Sequence, residues 1–130
     1  MADLRRRLHR IRTETADGQP TSVVDERAVE SIALNVLLAV QDAVDICARI
    51  ISREGWDPPE NLAGGFAELQ RRGVLTAGTA QAMARGTRLR NLVAHGYSRV
   101  DPQRLVSSAV AGIAEFESFL ADVARWEIER

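Results

Sequence analysis

Lysine is absent from the 130-residue sequence, so its 17 basic residues are all arginines. This absence excludes a phosphate-binding loop of the lysine-containing type and Schiff-base chemistry, because both depend on a lysine amine. Cysteine occurs once, at Cys47, and the only histidines are His9 and His95. Such a small set cannot form an internal disulfide, nor a zinc site built from four cysteines or from two cysteines and two histidines. We therefore predict a chain in a reducing compartment, with no metal site and no cofactor.

The chain also lacks an excess of charge and a long apolar run. Its 17 arginines balance 18 acidic residues to a net charge of −1, which argues against non-specific coating of nucleic acid or membranes, since such binding scales with the phosphates neutralised. One local basic pocket is still compatible with this balance. The longest apolar run, Val36–Val40, is far shorter than the ~20 residues of a membrane-spanning helix. We expect a soluble cytoplasmic protein without a signal peptide or a membrane partner.

Helical periodicity dominates what the sequence does contain. Aromatic residues make up only 5% of the chain, and strand-like alternation is missing, whereas apolar residues recur at steps of three and four. With its capping signals, this spacing predicts four main helices: Val24–Ser52, Asn61–Arg72, Thr76 or Thr79 to about His95, and Asp101-Pro102 to Trp126 or beyond.

A shorter basic helix is predicted at the N-terminus, where three apolar residues recur at helical spacing: Leu4, Leu8 and Ile11. Residues 13–21 are expected to form a loop. The fold class is therefore all-α, an antiparallel bundle of four main helices plus this short helix. We expect a single domain over residues 1–130, in which residues 1–21 form a basic leader helix and loop and residues 22–130 form the bundle.

Chemistry-bearing side chains concentrate in one segment, which holds four of the arginines, one histidine and the only tyrosine: Arg85, Arg88, Arg90, His95, Tyr97 and Arg99. At ~100° per residue, Asn91 and His95 share a helix face and Arg90 lies beside Asn91. An arginine next to a titratable histidine suits metal-independent cleavage of RNA, in which the imidazole transfers protons and the guanidinium stabilises charge on the phosphorane. One histidine per chain provides only one proton-transfer group, so we expect a two-fold dimer with both copies of the pair in one cleft.

Ordinary structural roles are open for the same residues. His95 can be a helix-end histidine that contacts the terminal carbonyls, the arginines can form a solvated face paired with neighbouring carboxylates, and Tyr97 can close the core. Asp42 and Asp45 lie on the more polar side of the long helix, where they can be surface charges or contribute an acidic group to a site.

The octet Arg90–Tyr97, which reads Arg-Asn-Leu-Val-Ala-His-Gly-Tyr, resembles the Arg-x4-His-x-Tyr signature of HEPN-domain proteins, specifically the HepT-type toxins. The resemblance covers roughly Asp25 to Phe119 and includes further matching pieces along the chain: Glu26-Arg27-Ala28, Ala43-Val44-Asp45-Ile46, Gly55-Trp56, Phe66-Ala67-Glu68-Leu69 and Val100-Asp101.

The resemblance implies a HEPN-like bundle that acts as the toxin of a toxin–antitoxin system. It implies a metal-independent endoribonuclease, active as a homodimer, with Arg90 and His95 catalytic and Asn91 supporting. The RNA substrate would then lie near the remaining arginines of the segment: Arg85, Arg88 and Arg99. The usual partner of the family is a nucleotidyltransferase antitoxin that uses ATP to adenylylate the motif tyrosine, here Tyr97, which adds bulk and negative charge beside the site.

The sequence is compatible with two other functions. One is a non-catalytic helical module that binds a nucleotidyltransferase or a nucleotide and never cleaves RNA. The other is a structural bundle that dimerises and has no ligand. The position of the two His95 side chains in a dimer distinguishes the nuclease from the first of these, because only the nuclease needs them in a shared cleft.

Overall fold

The computed structural model describes residues 1–15, 26–61, 63–95 and 101–130. Within these ranges the chain forms five helices and no strand: α1 (Ala2–Thr15), α2 (Glu26–Glu54), α3 (Gly64–Arg71), α4 (Ala77–Ala94) and α5 (Pro102–Glu129). The predicted all-α bundle of four main helices and a short N-terminal helix is confirmed. The predicted loop at 13–21 is wrong for its first three residues, which extend α1, and the rest of it lies outside the described residues.

Local signals set one helix end and two helix starts close to where the sequence predicts them. α2 ends at Glu54, two residues beyond the predicted Ser52, and is followed by Gly55, whose φ of 74° lies in the left-handed region that favours glycine. α4 begins after Thr76, whose Oγ1 accepts a hydrogen bond from the Thr79 N–H at 3.2 Å. α5 begins after Asp101, whose carboxylate accepts from the Gln103 N–H at 3.1 Å. The last two caps position the site, because α4 and α5 are consecutive helices that pack against each other.

The predicted start of α3 is wrong by three residues, because Asn61 forms a turn before the helix. Its Oδ1 accepts from the N–H of Gly64, the first helical residue, at 2.8 Å. Gly64 approaches Pro59 so closely that a Cβ at this position would lie 2.8 Å from the Pro59 Cβ. Only glycine fits this close approach, which holds the first residue of α3 against Pro59.

Two buried clusters fill the bundle and distinguish its ends. The larger cluster joins α3 to parts of the other four helices and contains Phe66 and Phe119, whose rings meet edge to face with centroids 5.9 Å apart. The smaller cluster joins Ile11 and the first halves of α2 and α5 to Val93, near the end of α4. We call the last turn of α4, with the first turns of α2 and α5, the His95 end of the bundle.

α2 is the one helix in the described part of the chain that is long and apolar enough to cross a membrane by length and composition, over Arg27–Glu54. The sequence prediction missed this property because it counted only uninterrupted apolar residues. Half of the most apolar stretch of α2 is buried in the bundle, and α2 contacts all four other helices. A central bundle helix acquires this composition because it is surrounded by protein.

α1 is packed into the core through its apolar face, since Leu4, Leu8 and Ile11 are all buried. We expect Leu4→Ala to lower the free energy of unfolding by about 2–5 kcal/mol, because it removes a fully buried side chain and leaves a cavity against α2 and α5. Urea denaturation measures this loss. The matched control is Ile128→Ala on α5, whose side chain is 84% exposed and whose loss should cost less than about 0.5 kcal/mol. Equal effects in the two variants would show that α1 does not stabilise the bundle.

Candidate active site

The last turn of α4 presents Asn91 and His95 to solvent. The inner face of the helix is anchored by Met83, Thr87 and Val93, which are buried, so the opposite face turns outward. His95 is the C-cap of α4, and its backbone N–H donates to the Asn91 carbonyl at 3.1 Å. Both side chains are exposed, and the one-turn spacing of the two residues is as predicted.

Arg90 is half-buried next to this exposed pair and is held in place by Asn91. One terminal nitrogen of the guanidinium, Nη1, donates to the Asn91 Oδ1 at 3.2 Å. Its Nε is buried and has no hydrogen-bond partner in the described part of the chain. A guanidinium with one donor engaged and others unused can bind an anion through two parallel hydrogen bonds. The site therefore combines an oriented cation with an accessible imidazole.

The other arginines predicted to contact RNA differ in whether they form an ion pair with a carboxylate. Arg85 forms an ion pair with Glu115 of α5 at 3.3 Å, which offsets its charge. Arg88 is exposed, and no carboxylate of the described residues lies within 4.0 Å of it. Arg99 and Tyr97 lie outside the described residues, so their predicted roles stay predictions.

Asp42 and Asp45 contact α1 and their own helix, near the N-terminus of α1. The Oδ2 of Asp42 lies 3.6 Å from the Nε of Arg7. Burial raises the pKa of Asp42, and the neighbouring Arg7 opposes this rise. Asp45 accepts from the Gln41 amide at 3.1 Å. Among the described residues neither carboxylate contacts Arg90 or the last turn of α4, so the structure does not bring this pair to the site within one chain.

Burial limits the reactivity of the single thiol, and the positions of the possible metal-binding side chains limit metal coordination. Cys47 is buried, and burial raises the pKa of its thiol to about 12, so the reactive thiolate does not form near neutral pH. In the part of the chain that the structure describes, no three His, Cys, Asp or Glu side chains are grouped so that they could hold a metal ion. The groups at the site itself are a guanidinium, an amide and an imidazole, which bind anions and transfer protons.

One cation near the site was missed by the sequence prediction. Arg104 is exposed on the first turn of α5, which packs beside the end of α4. The sequence prediction considered only arginines in the segment around His95. A signal was available in the order of the helices, because consecutive antiparallel helices bring the residues before and after their connection to the same end of a bundle.

Comparison with known proteins shows both family and fold. The family model described as "Ribonuclease HepT-like" matches residues 4–123. The fold is similar to that of a toxin–antitoxin complex crystallised with AMP-PNP, with a TM-score of 0.86 at 20% identity over 95% of this chain and 93% of that one. It is similar to a mutant MntA-HpeT toxin–antitoxin complex, with a TM-score of 0.84 at 20% identity over 95% and 94% of the two chains.

A third similar structure is the tri-AMPylated Shewanella oneidensis HEPN toxin in complex with an MNT antitoxin. Its TM-score is 0.86 at 21% identity, with 95% of this chain and 92% of that chain covered. No curated protein matches the sequence. The structural likeness independently supports the all-α fold, and the family model spans nearly the whole sequence. The resemblance carried by Arg90–Tyr97 is thereby confirmed: the chain belongs to the HepT-like family of HEPN-domain proteins.

Proposed function

We propose that this protein is the toxin of a toxin–antitoxin system and acts as a metal-independent endoribonuclease. The observation that carries the proposal is the geometry of one helix end, where α4 exposes His95 beside a guanidinium that Asn91 orients through a 3.2 Å hydrogen bond. The description of the family as ribonucleases supports the same reaction class. Arg90 and His95 are the catalytic residues in this proposal, and Asn91 is a positioning residue for Arg90.

The proposed reaction is an in-line displacement at phosphorus. The ribose 2′-oxygen forms a bond to phosphorus while the bond from phosphorus to the 5′-oxygen of the next nucleotide breaks. One imidazole removes the 2′-hydroxyl proton and a second imidazole protonates the departing 5′-oxygen. Arg90 binds the non-bridging oxygens, whose negative charge grows in the transition state. The products are a 2′,3′-cyclic phosphate and a 5′-hydroxyl.

A homodimer supplies the second imidazole, because each chain has only one His95. Two exposed leucines lie on the helices that meet at the His95 end: Leu92 is 59% exposed, next to Asn91, and Leu34 of α2 is 55% exposed. A second copy that covers such side chains removes apolar surface from water. We therefore propose a homodimer in which the outer faces of α4 contribute to a shared cleft.

The proposed partner is a nucleotidyltransferase antitoxin that uses ATP and adenylylates Tyr97. Two observations on similar structures support it, namely the AMP groups on the Shewanella oneidensis toxin bound to its MNT antitoxin and the AMP-PNP in another toxin–antitoxin complex. Tyr97 lies two residues beyond His95, so a phosphate-containing adduct there adds bulk and negative charge where the RNA binds. Arg88 and Arg99 are proposed RNA contacts, as is Arg85 once RNA displaces Glu115. We place the protein in the cytoplasm as one domain over residues 1–130.

The test is cleavage of a single-stranded RNA by the purified chain in excess EDTA. We expect fragments that end in 2′,3′-cyclic phosphate and 5′-hydroxyl groups, formed at the same rate with and without the chelator, because the proposed reaction uses only side chains of the protein. Abolition of cleavage by EDTA would contradict metal independence. An absence of cleavage under all conditions, with retained binding of the nucleotidyltransferase, would instead assign the chain to the non-catalytic binding modules.

A further inference from the structure

Many arginines of this bundle form ion pairs, but some exposed ones have no carboxylate partner among the described residues. Far from His95, five arginines form ion pairs with carboxylates: Arg53, Arg71, Arg72, Arg125 and Arg130. Arg27 and Arg104 at the His95 end, and Arg88 earlier on α4, are exposed, and no carboxylate of the described residues lies within 4.0 Å of them. Exposed arginines without such a partner also occur elsewhere, at Arg5, Arg10 and Arg49, so what distinguishes the first group is its position near His95, where a free guanidinium favours anions.

The packing of α4 on α5 places Arg104 at the same end of the bundle as the last turn of α4. Arg85 pairs with Glu115 at 3.3 Å, and further along Leu89 lines the same cavity as Ser108. Val93 then shares a buried cluster with Leu105 and Val106. Continued by half a turn of α4, this antiparallel register places the backbones of His95 and Arg104 at about the same height along the bundle.

Arg104 also lies on the face of α5 that turns toward α4. Glu115 and Ser108, which contact or face α4, lie on one stripe of α5, and Arg104 is one turn before Ser108 on the same stripe. Arg104 and Ser108 line a common open hollow together with Asp101. The Asp101 carboxylate caps α5 through the Gln103 N–H and forms no ion pair with Arg104, so the guanidinium is available to an external anion.

We propose that Arg104 binds a phosphate of the RNA strand that is cleaved at His95, other than the one that reacts. The inference rests on the proposed function for the identity of the anion. A guanidinium matches the geometry of a phosphate through paired donors. Arg104 is exposed at the same end of the bundle as His95, and no carboxylate of the described residues lies within 4.0 Å of it. Arg104 is thus a substrate-binding residue outside the Arg90–Tyr97 motif. It holds the strand across the site without touching the reacting atoms.

The experiment measures RNA binding separately from cleavage. In the His95→Ala background, binding of a short fluorescein-labelled single-stranded RNA is followed by anisotropy over a series of salt concentrations. We expect Arg104→Gln to weaken binding about fivefold at low salt and to reduce the slope of log affinity against log salt by about 0.7, as for one lost phosphate contact. Arg104→Lys should retain the slope, because it keeps the charge.

Arg49→Gln is the matched control. Arg49 is also exposed, on α2, with no carboxylate of the described residues within 4.0 Å, but it lies near the N-terminus of α1 and far from His95. We expect the Arg49→Gln variant to bind RNA with the same affinity and the same salt dependence as the His95→Ala chain without it. In the cleavage-competent chain, Arg104→Gln should raise KM and leave kcat within about twofold. The lost contact would stabilise the bound RNA equally in the ground state and the transition state.

Two results would overturn the proposal. One is an unchanged salt slope in Arg104→Gln, or an equal decrease in Arg49→Gln. The other is loss of the homodimer in Arg104→Gln, measured by light scattering, which would assign Arg104 to the contact between copies. RNA binding that depends on Arg104 in a chain that never cleaves RNA would support this inference while refuting the nuclease function.

Discussion

Replacement of His95 by alanine is expected to reduce the rate of RNA cleavage by about 10³–10⁴-fold. The estimate follows from the contribution of general acid–base catalysis, which is typically about 10²–10⁴-fold, and the substitution removes both imidazoles of the proposed dimer. The fold should not change, because the side chain is exposed and the C-cap of α4 is made by the His95 backbone N–H. The measurements are the cleavage rate of a labelled RNA, the growth of cells that express the chain, and thermal unfolding.

The sequence provides its own control for this experiment, since His9 is the only other histidine. His9 is exposed on α1, and its backbone carbonyl accepts from the Thr13 hydroxyl at 2.9 Å, a bond that His9→Ala retains. We expect His9→Ala to cleave RNA at the parent rate. Full cleavage and toxicity in His95→Ala would refute the catalytic assignment, and equal losses in both variants would trace the effect to a property other than catalysis at His95.

Tyr97→Phe is expected to abolish adenylylation by the cognate nucleotidyltransferase completely. Tyr97 is the only tyrosine in the sequence, so the substitution removes the one phenolic oxygen that can attack the α-phosphate of ATP and displace pyrophosphate. Incubation of the purified chain with the transferase and ATP, followed by mass spectrometry, should show AMP-sized increments on the parent and none on the variant. In cells, Tyr97→Phe should stay toxic when the transferase is co-expressed, because the negative charge cannot be added.

The control for this second prediction is the His95→Ala variant, which keeps the tyrosine and should accept AMP as the parent does. That comparison distinguishes loss of the acceptor from damage to the surface on which the transferase docks. Unchanged labelling of Tyr97→Phe would place the modification on another residue and would remove the proposed mechanism of neutralisation. The cleavage reaction itself would be unaffected by that outcome, since Arg90 and His95 do not depend on the adduct.

Several helix ends of this protein could be predicted because their signals are local. Asp101 followed by Pro102, and Thr76 three residues before Thr79, cap α5 and α4 through contacts within one turn. The start of α3 was predicted wrongly because Asn61 forms a turn instead of a helical residue, and after this turn Gly64 approaches Pro59 closely. A contact of that kind between segments on either side of a turn has no signature in apolar periodicity.

The sequence by itself determined the core of the candidate site. Arg90, Asn91 and His95 lie within two turns of one helix, and the α-helix has a constant rise and rotation per residue, so their neighbourhood follows once the segment is helical. The family signature rests on the same short-range spacing, which explains why the residues alone are enough to indicate the family. The relative positions of these three residues therefore follow from one helix, without information on how the other helices pack.

Only the tertiary structure decided which charges are free to act. Arg85 forms an ion pair with Glu115 and Asp42 lies near Arg7, whereas Arg104, at the His95 end, has no carboxylate of the described residues within 4.0 Å. Each of these outcomes depends on the register between helices that are distant in sequence, and register is set by how the buried faces interdigitate. Composition counts charges without regard to their partners, so a net charge of −1 carries no record of the unpaired arginines at the His95 end.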